Sequence, residues 1–508
     1  MKTILLIIAI AVVGMRTGAA DAATNKNPRT GPFILSVEVS WIPEDEADGA
    51  EYYDPGVRKG IFAICPLGGA SAPVSRLQRS RTKRRRFVSS LASPKPCHCL
   101  ILGVLALLST LVLPAGAQGK ILFKFTFGNG KIKSGWIQVS PTNFYSPEIG
   151  HGFEPGATVT VADGCITSTN PFYFSVKLPE GNYRATVVLG DPTGESTTTV
   201  KAELRRLMLE KVHAAAGKPV TRSFIVNLRT PEIPGNNAVH LKPREKTNEW
   251  RAWDEKLTLE FNGRHPALQS LEIEKAAVPT VFLLGDSTVC DQPAEPWNSW
   301  GQMLPRFFKP KIAVANHAES GETIAGSLSA HRFDKVFSLI KPGDWLFLQF
   351  GHNDMKSPAT NALEIYRADL KQVIGRTRAL GGTPVLVTSM EREGGVEAPT
   401  LMGYPDAARE VAKEENCALI DLNAMSLVFY QALGTNLDQA FQDPTHHNNY
   451  GSYELAQCVV EGIKQAKLPL AKFIVDDFKG FDPSKPDAVA NFEMPVSPVV
   501  SSEKPPGY

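Results

Sequence analysis

Apolar and polar residues follow two different rhythms along this chain. From Lys120 to about Glu274 the rhythm is short and alternating. "KILFKFTFGNG" alternates and breaks at Gly-Asn-Gly, and "PFYFSVKLPEGNYRATVVLGD" reads as two strands joined across "PEGN". "SFIVNLRT", "AVHLK" and "KLTLEFNG" continue the pattern at short spacing, which predicts an antiparallel β-sandwich over residues 119–276. "LRRLMLEKVHAAAGK" fits neither period 2 nor period 3.6 cleanly. After Pro279 the apolar runs become short and continuous: "TVFLLGD", "KIAVANHA", "DWLFLQFGHND", "TPVLVTSM" and "CALIDLN". Strands buried on both faces look like this. Between them lie helical stretches such as "ALEIYRADLKQVIGRTRALGG", and "GSYELAQCVVEGIKQAKL" closes the series. The alternation predicts an α/β domain over 279–475 with a parallel sheet between two helical layers. The Pro- and Ser-rich end, 477–508, reads as a flexible tail.

The first 118 residues stand apart. "MKTILLIIAIAVVGMRTGAADA" and "CLILGVLALLSTLVLPAGAQ" both have the form of an export signal, with an apolar core and small residues at the end. Residues 1–118 therefore read as export signals and a non-structural or misassigned extension, with a secreted or periplasmic product starting near Gln118. The apolar core at 100–113 falls short of the roughly 20 residues a membrane span needs, so no stable insertion is expected. Eight basic and no acidic residues lie between Arg76 and Lys95, whereas the chain after residue 118 holds 40 basic against 44 acidic residues. A slightly acidic body excludes general nucleic-acid binding. Of seven cysteines only Cys165, Cys290, Cys417 and Cys458 lie in that body, too far apart for a CxxC metal site.

Candidate chemistry gathers where the apolar runs end. In open parallel sheets, ligands bind beyond the carboxyl ends of the strands. Ser287 follows "VFLLGD", Gly321 lies in "NHAESGE", Asn353 in "FGHND", and Asp443 with His446 in "FQDPTHHNNYG". Gly-Asp-Ser alone is also good turn chemistry; it is the set of four loops that gives Ser287 meaning. A serine hydroxyl becomes a nucleophile when an imidazole takes its proton, and that imidazole needs a carboxylate to fix its tautomer. Asp443 and His446 supply both. The backbone N–H groups of Ser287 and Gly321 and the Asn353 side chain are the candidate oxyanion donors.

"GDST", "NHAESG", "GHND" and "DPTH" resemble the four blocks of the SGNH (GDSL-like) hydrolases, with Ser287, Gly321, Asn353 and His446 in the four name positions. "YPDAAREVAKEENCALIDLN" and "DPTHHNNYGSYELA" are similar to segments of the rhamnogalacturonan acetylesterases, whose bacterial members often carry an N-terminal sandwich. The resemblance implies a three-layer α/β/α hydrolase domain preceded by a galactose-binding-like sandwich. It also implies metal- and cofactor-free removal of O-acetyl groups from a polysaccharide, rhamnogalacturonan first. Acetylated xylan, other short-chain esters and a non-catalytic glycan-binding role are the alternatives. Thr288 stands where the eponymous motif has leucine, and Glu322-Thr323 where Arg-Ser is usual.

Bland roles are expected for several neighbours. His447 reads as a rim residue or substrate contact, His352 as a structural partner, Asp286 and Asp354 as loop braces. His317 and Cys290 read as packed. No HExxH-like spacing links His352, His446 and His447 to a metal. Trp136, Tyr145, Trp250 and Trp253 read first as sandwich or interdomain packing, second as sugar-stacking surfaces.

Overall fold

The computed structural model describes residues 121–505, together with two short strands, Tyr52–Asp54 and Val57–Lys59, that pair as an antiparallel hairpin. Both signal-like stretches lie outside the described residues. Among the described residues, no helix is long and apolar enough to cross a membrane.

The five continuous apolar runs become one parallel sheet. Its strands are β1 (Thr280–Gly285), β2 (Ala313–Asn316), β3 (Trp345–Gln349), β4 (Thr383–Val387) and β5 (Ala418–Ile420). They lie in the order β2-β1-β3-β4-β5. Successive side chains leave opposite faces of a strand, so each run must be apolar at every position. Val281 and Leu283 pack with Val385 against helices Leu422–Leu433 and Asn449–Gln465. Phe282 and Leu284 pack on the other face against helices Arg332–Leu339, Ala362–Ala379 and Tyr404–Glu414. Each such side chain contributes about 1.5–3 kcal/mol on burial. The strand order places a topological switch point between β1 and β3, where crossovers leave in opposite directions and open a crevice. Ser287 and Asn353 follow those two strands.

The alternating segment forms two mainly antiparallel sheets of five and seven strands. In Gly181–Leu189, alternate residues Tyr183, Ala185, Val187 and Leu189 point into a core shared with Phe172, Phe174, Leu257 and Phe261 of the other sheet. The ambiguous stretch becomes strand Arg206–Ala214, paired with Ser196–Ala202 through two register shifts. Lys211 there has φ +41°. Such a bulge adds a residue out of step with the pleat, and this breaks the period of 2.

The turn before that strand reaches the hydrolase half. Arg205 donates from Nη1 to the carbonyls of Gln292 (3.1 Å) and Trp297 (3.0 Å), and its Nη2 lies 2.6 Å from Glu295. Arg206 pairs with Asp291 at 3.2 Å, and Arg332 with Glu245 at 2.6 Å, all buried. Replacing pairs like these with apolar residues is often neutral, but leaving one partner alone is costly, so they fix the register of the two halves more than they add stability.

The end of the chain differs from the expected flexible tail. Phe478, Phe481 and Phe492 pack on the hydrolase core, and the Tyr450 hydroxyl donates to the Asp487 carbonyl at 2.7 Å. Glu295 N–H donates to Val499 (2.9 Å) and Ser501 N–H to Glu295 (2.9 Å), while Ser497 is 1% exposed. Proline-rich composition hides this because the strap is held by backbone hydrogen bonds and scattered aromatic contacts rather than by a periodic apolar stripe.

Candidate active site

β1 ends at Gly285, where a Cβ would lie 2.6 Å from the Gln349 carbonyl oxygen and 2.7 Å from Val289 Cγ2. Only glycine lets the chain turn this close to β3. Asp286 Oδ1 accepts from Thr288 N–H (2.9 Å) and Thr288 Oγ1 (2.7 Å), and Gln349 Nε2 donates to Thr288 Oγ1 at 2.7 Å. The hydroxyl that replaces the motif's leucine thus braces the turn that carries Ser287.

The acid and the imidazole come from one loop just before helix Asn449–Gln465. Asp443 Oδ1 accepts from the N–H groups of Thr445 and His446, both at 2.8 Å, which folds the loop back on itself. Asp443 Oδ2 lies 2.9 Å from His446 Nδ1, and His446 Nε2 lies 2.8 Å from Ser287 Oγ. An ionised carboxylate only accepts, so Nδ1 carries the proton and Nε2 offers its lone pair to the serine hydroxyl. Burial pushes the Asp443 carboxyl up, but the hydrogen bond and charge of His446 and the two backbone N–H groups outweigh it and bring the pKa down to about 2. The Trp297 ring meets His446 edge-on, centroids 5.8 Å apart.

Gly321 has φ +74°, a left-handed conformation that favours glycine. Asn353 Nδ2 donates to Glu322 O at 3.1 Å, which ties the carboxamide to the Gly321 loop, and Lys356 Nζ donates to Asn353 Oδ1 at 2.8 Å. Ser287, Asn353 and His446 line a cavity of about 40 Å³. A larger cleft of about 470 Å³ is walled by Trp297, Trp250, Arg244, Arg251 and the strap residues Val499 and Ser501. The small cavity has room for an acetyl-sized group beside a polarised serine, and that is the arrangement acyl transfer requires.

Residues 283–452 match the GDSL-like lipase/acylhydrolase family. Rhamnogalacturonan acetylesterase RhgT of Bacillus subtilis (strain 168) is 35% identical over 217 residues, spanning 38% of this chain and 94% of RhgT. The chain belongs to the GDSL-like lipase/acylhydrolase family. The probable rhamnogalacturonan acetylesterase YesY of the same organism is 33% identical, over 39% of this chain and 98% of its own. The uncharacterized esterase YxiM, also from B. subtilis, is 24% identical over 69% of this chain and 92% of YxiM. The protein is accordingly a carboxylic ester hydrolase.

Other residues of this acylhydrolase divide cleanly by environment. His352 sits between Asp286 (3.3 Å) and the Met390 carbonyl (3.0 Å), a brace across the two strand ends. Asp354 accepts from Ile324 N–H at 3.0 Å, and burial pushes its carboxyl to about 7. Cys290 is buried within 3.3 Å of Ser320 Oγ, and burial raises its thiol well above the ordinary range, so it fills space. His317 is enclosed by Trp253 and Phe282.

His447 is a correction. It is not on the rim but 2% exposed, packed on Phe441, with Nε2 2.8 Å from the Tyr430 hydroxyl. Burial is the main reason its pKa falls to about 3, which keeps it neutral. Among the sandwich aromatics, Trp253 is buried under Arg229, whereas Trp250 is 40% exposed at the larger cleft. Glu322 and Thr323 also find roles: Glu322 pairs with Lys242 at 2.6 Å, and Thr323 caps helix Ile324–Ser329. Glu245, Glu249 and Glu319 bring carboxylate oxygens within 4.8 Å of one another. Arg332, Arg244 and Trp253 Nε1 already engage the cluster.

Trp297, Lys356 and Arg392 were not singled out from sequence. Lys356 and Arg392 follow apolar runs by a few residues, which is a weak signal, and Trp297 lies too far beyond β1 to give even that.

Proposed function

We propose that this hydrolase removes O-acetyl groups from rhamnogalacturonan, a plant cell-wall pectin, by an acyl-enzyme mechanism. The observation that carries the reading is the hydrogen-bonded line Asp443–His446–Ser287 opening into an acetyl-sized cavity. Ser287 Oγ attacks the acetyl carbonyl carbon while His446 Nε2 takes its proton. The carbonyl oxygen becomes an oxyanion facing the backbone N–H groups of Ser287 and Gly321 and the Asn353 carboxamide. The tetrahedral intermediate collapses, and the sugar alkoxide leaves with the proton from His446. Water then attacks the acyl-enzyme with His446 again as base, releasing acetate and restoring Ser287. Asn353→Ala is expected to cut kcat by about 10²–10³ with little change in KM, measured on a small acetyl ester.

Support for a sugar polymer comes from the relatives' names and from the cleft beside Trp297, where Trp250 and Arg251 flank the channel. The proposal carries the two-sheet module as a galactose-binding-like accessory domain and the product as exported, where such a polymer is found. The deciding experiment measures acetate release from acetylated rhamnogalacturonan, acetylated xylan and a small acetyl ester, using residues 118–508. Strong release from the pectic substrate is expected. Release only from the other two discards the pectin assignment, and silence on all three from folded protein discards the esterase mechanism.

A further inference from the structure

Two cations stand in the wall of the small cavity with Ser287 and His446: Lys356 and Arg392. They come from adjacent strand ends. Lys356 closes the short helix Asp354–Lys356 beyond β3, and Arg392 precedes the short helix Glu393–Val396 beyond β4. Among the described residues, Arg392 Nη2 reaches only the His352 carbonyl, at 3.4 Å, and its Nε is buried without a hydrogen-bond partner. Among the described residues, Arg392 is in no ion pair. Asp286 bonds Thr288 and His352, and Glu391 bonds Thr400 and the Arg392 N–H. Burial lowers the Lys356 ammonium, and repulsion from Arg392 lowers it further against an opposing pull from Asp286.

Two like charges converging on a reaction cavity repel unless an anion sits between them. Neither is needed by the acyl-transfer steps, because Asn353 already has a second tie through Glu322. We infer that Lys356 and Arg392 clamp a uronate carboxylate of the sugar chain beside Ser287, so that the substrate class is an acidic polysaccharide carrying acetyl esters. The inference rests on the acetylesterase reading above and names what selects the substrate within it. The planar guanidinium matches a carboxylate, and the ammonium adds a point charge. A neutral xylan chain offers this pair nothing.

The test uses acetylated rhamnogalacturonan oligosaccharides with free carboxyl groups, the same oligosaccharides after methyl esterification, acetylated xylan, and a small acetyl ester. For the wild-type chain, esterification is expected to lower kcat/KM by roughly tenfold to a hundredfold, the effect of losing a charge-assisted hydrogen bond. Sodium chloride is expected to raise KM for the acid form only. Arg392→Gln should erase most of the difference between acid and ester forms, and Arg392→Lys should restore part of it. Equal turnover of acid and ester forms by wild type overturns the clamp and leaves the pectin reading standing. An Arg392→Gln defect of the same size on all four substrates also overturns it, since a residue that merely positions His352 would behave so. Turnover of acetylated xylan with none of either pectic form overturns both readings together.

Discussion

Ser287→Ala is expected to lower kcat by about 10⁶ on any acetyl ester the enzyme accepts. Among the described residues, Ser287 Oγ has one hydrogen bond, to His446 Nε2 at 2.8 Å, and the residue's carbonyl takes Gln292 Nε2 at 2.7 Å. Removing the hydroxyl therefore takes away the proposed nucleophile and leaves the turn intact. The aligned Asp443–His446 pair then has no proton to take except from water. The proposed oxyanion donors and the cavity remain, and on the proposed mechanism they account for whatever rate survives. No substitute stands ready: Cys290, three residues on, is buried with its thiol held protonated. Acetate release under saturating substrate measures the loss, and an unchanged circular dichroism spectrum shows that the fold has survived. Turnover within a hundredfold of wild type, in folded protein, would place the nucleophile elsewhere.

The hydrolase domain was legible because its signals are local. A strand buried on both faces needs an apolar residue at every position, and "TVFLLG", "WLFLQ" and "PVLV" say so without reference to the rest of the chain. Ser287, Asn353 and His446, which line one cavity, and Asp443, bonded to His446, are drawn together for a related reason. Each sits just beyond such a run or in a short loop of fixed spacing, so the sheet edge that gathers them follows from the strand pattern. The rest depends on partners remote in sequence. Arg205 reads as one more basic residue in an ambiguous stretch, yet it binds the carbonyls of Gln292 and Trp297, 87 and 92 residues away. Ser497 looks like tail composition until Glu260 and Lys201 are seen to hold it. Adjacent His446 and His447 differ only in which side of the loop each faces, and nothing in "THHN" orders them beyond the spacing to Asp443. Arg392 lies in "EREGG", where charge alone reads as solvated surface.

These remote contacts bear on catalysis because they converge on the loop between Ser287 and Trp297. Glu295 receives Arg205 from the two-sheet module, Asn449 from the helix that follows the Asp443–His446 loop, and Ser497 N–H from the strap. Trp297, two residues on, donates from Nε1 to Ser501 O at 3.0 Å and packs its ring on His446. The imidazole is therefore positioned by groups from three separate parts of the chain. A loop so held loses little entropy when the substrate arrives, as preorganised catalysis requires.

Asp443→Asn is expected to lower kcat by about 10⁴ while leaving the loop folded. The carboxylate does two separable things. Its Oδ1 accepts from Thr445 and His446 N–H, and an asparagine oxygen does this equally well. Its Oδ2 faces His446 Nδ1 at 2.9 Å, and there the substitution places an amide N–H instead. Two N–H groups cannot face each other, so the ring turns its other tautomer to the amide and points Nε2–H at Ser287. A donor at that position cannot take the serine proton. The lost negative charge also removes what steadies the imidazolium as it forms. The carboxyl itself, held at about 2, stays ionised at neutral pH, so its own protonation does not limit the wild-type enzyme there. Because its folded pKa is depressed below the ordinary value near 4, the stability it contributes is complete above that value and is lost as pH falls toward 2. The comparison to make is kcat against pH for wild type and Asp443→Asn on one small acetyl ester, with urea unfolding of both. A fall of four decades with an intact fold is the expected result. A fall below tenfold would mean that another group orients His446.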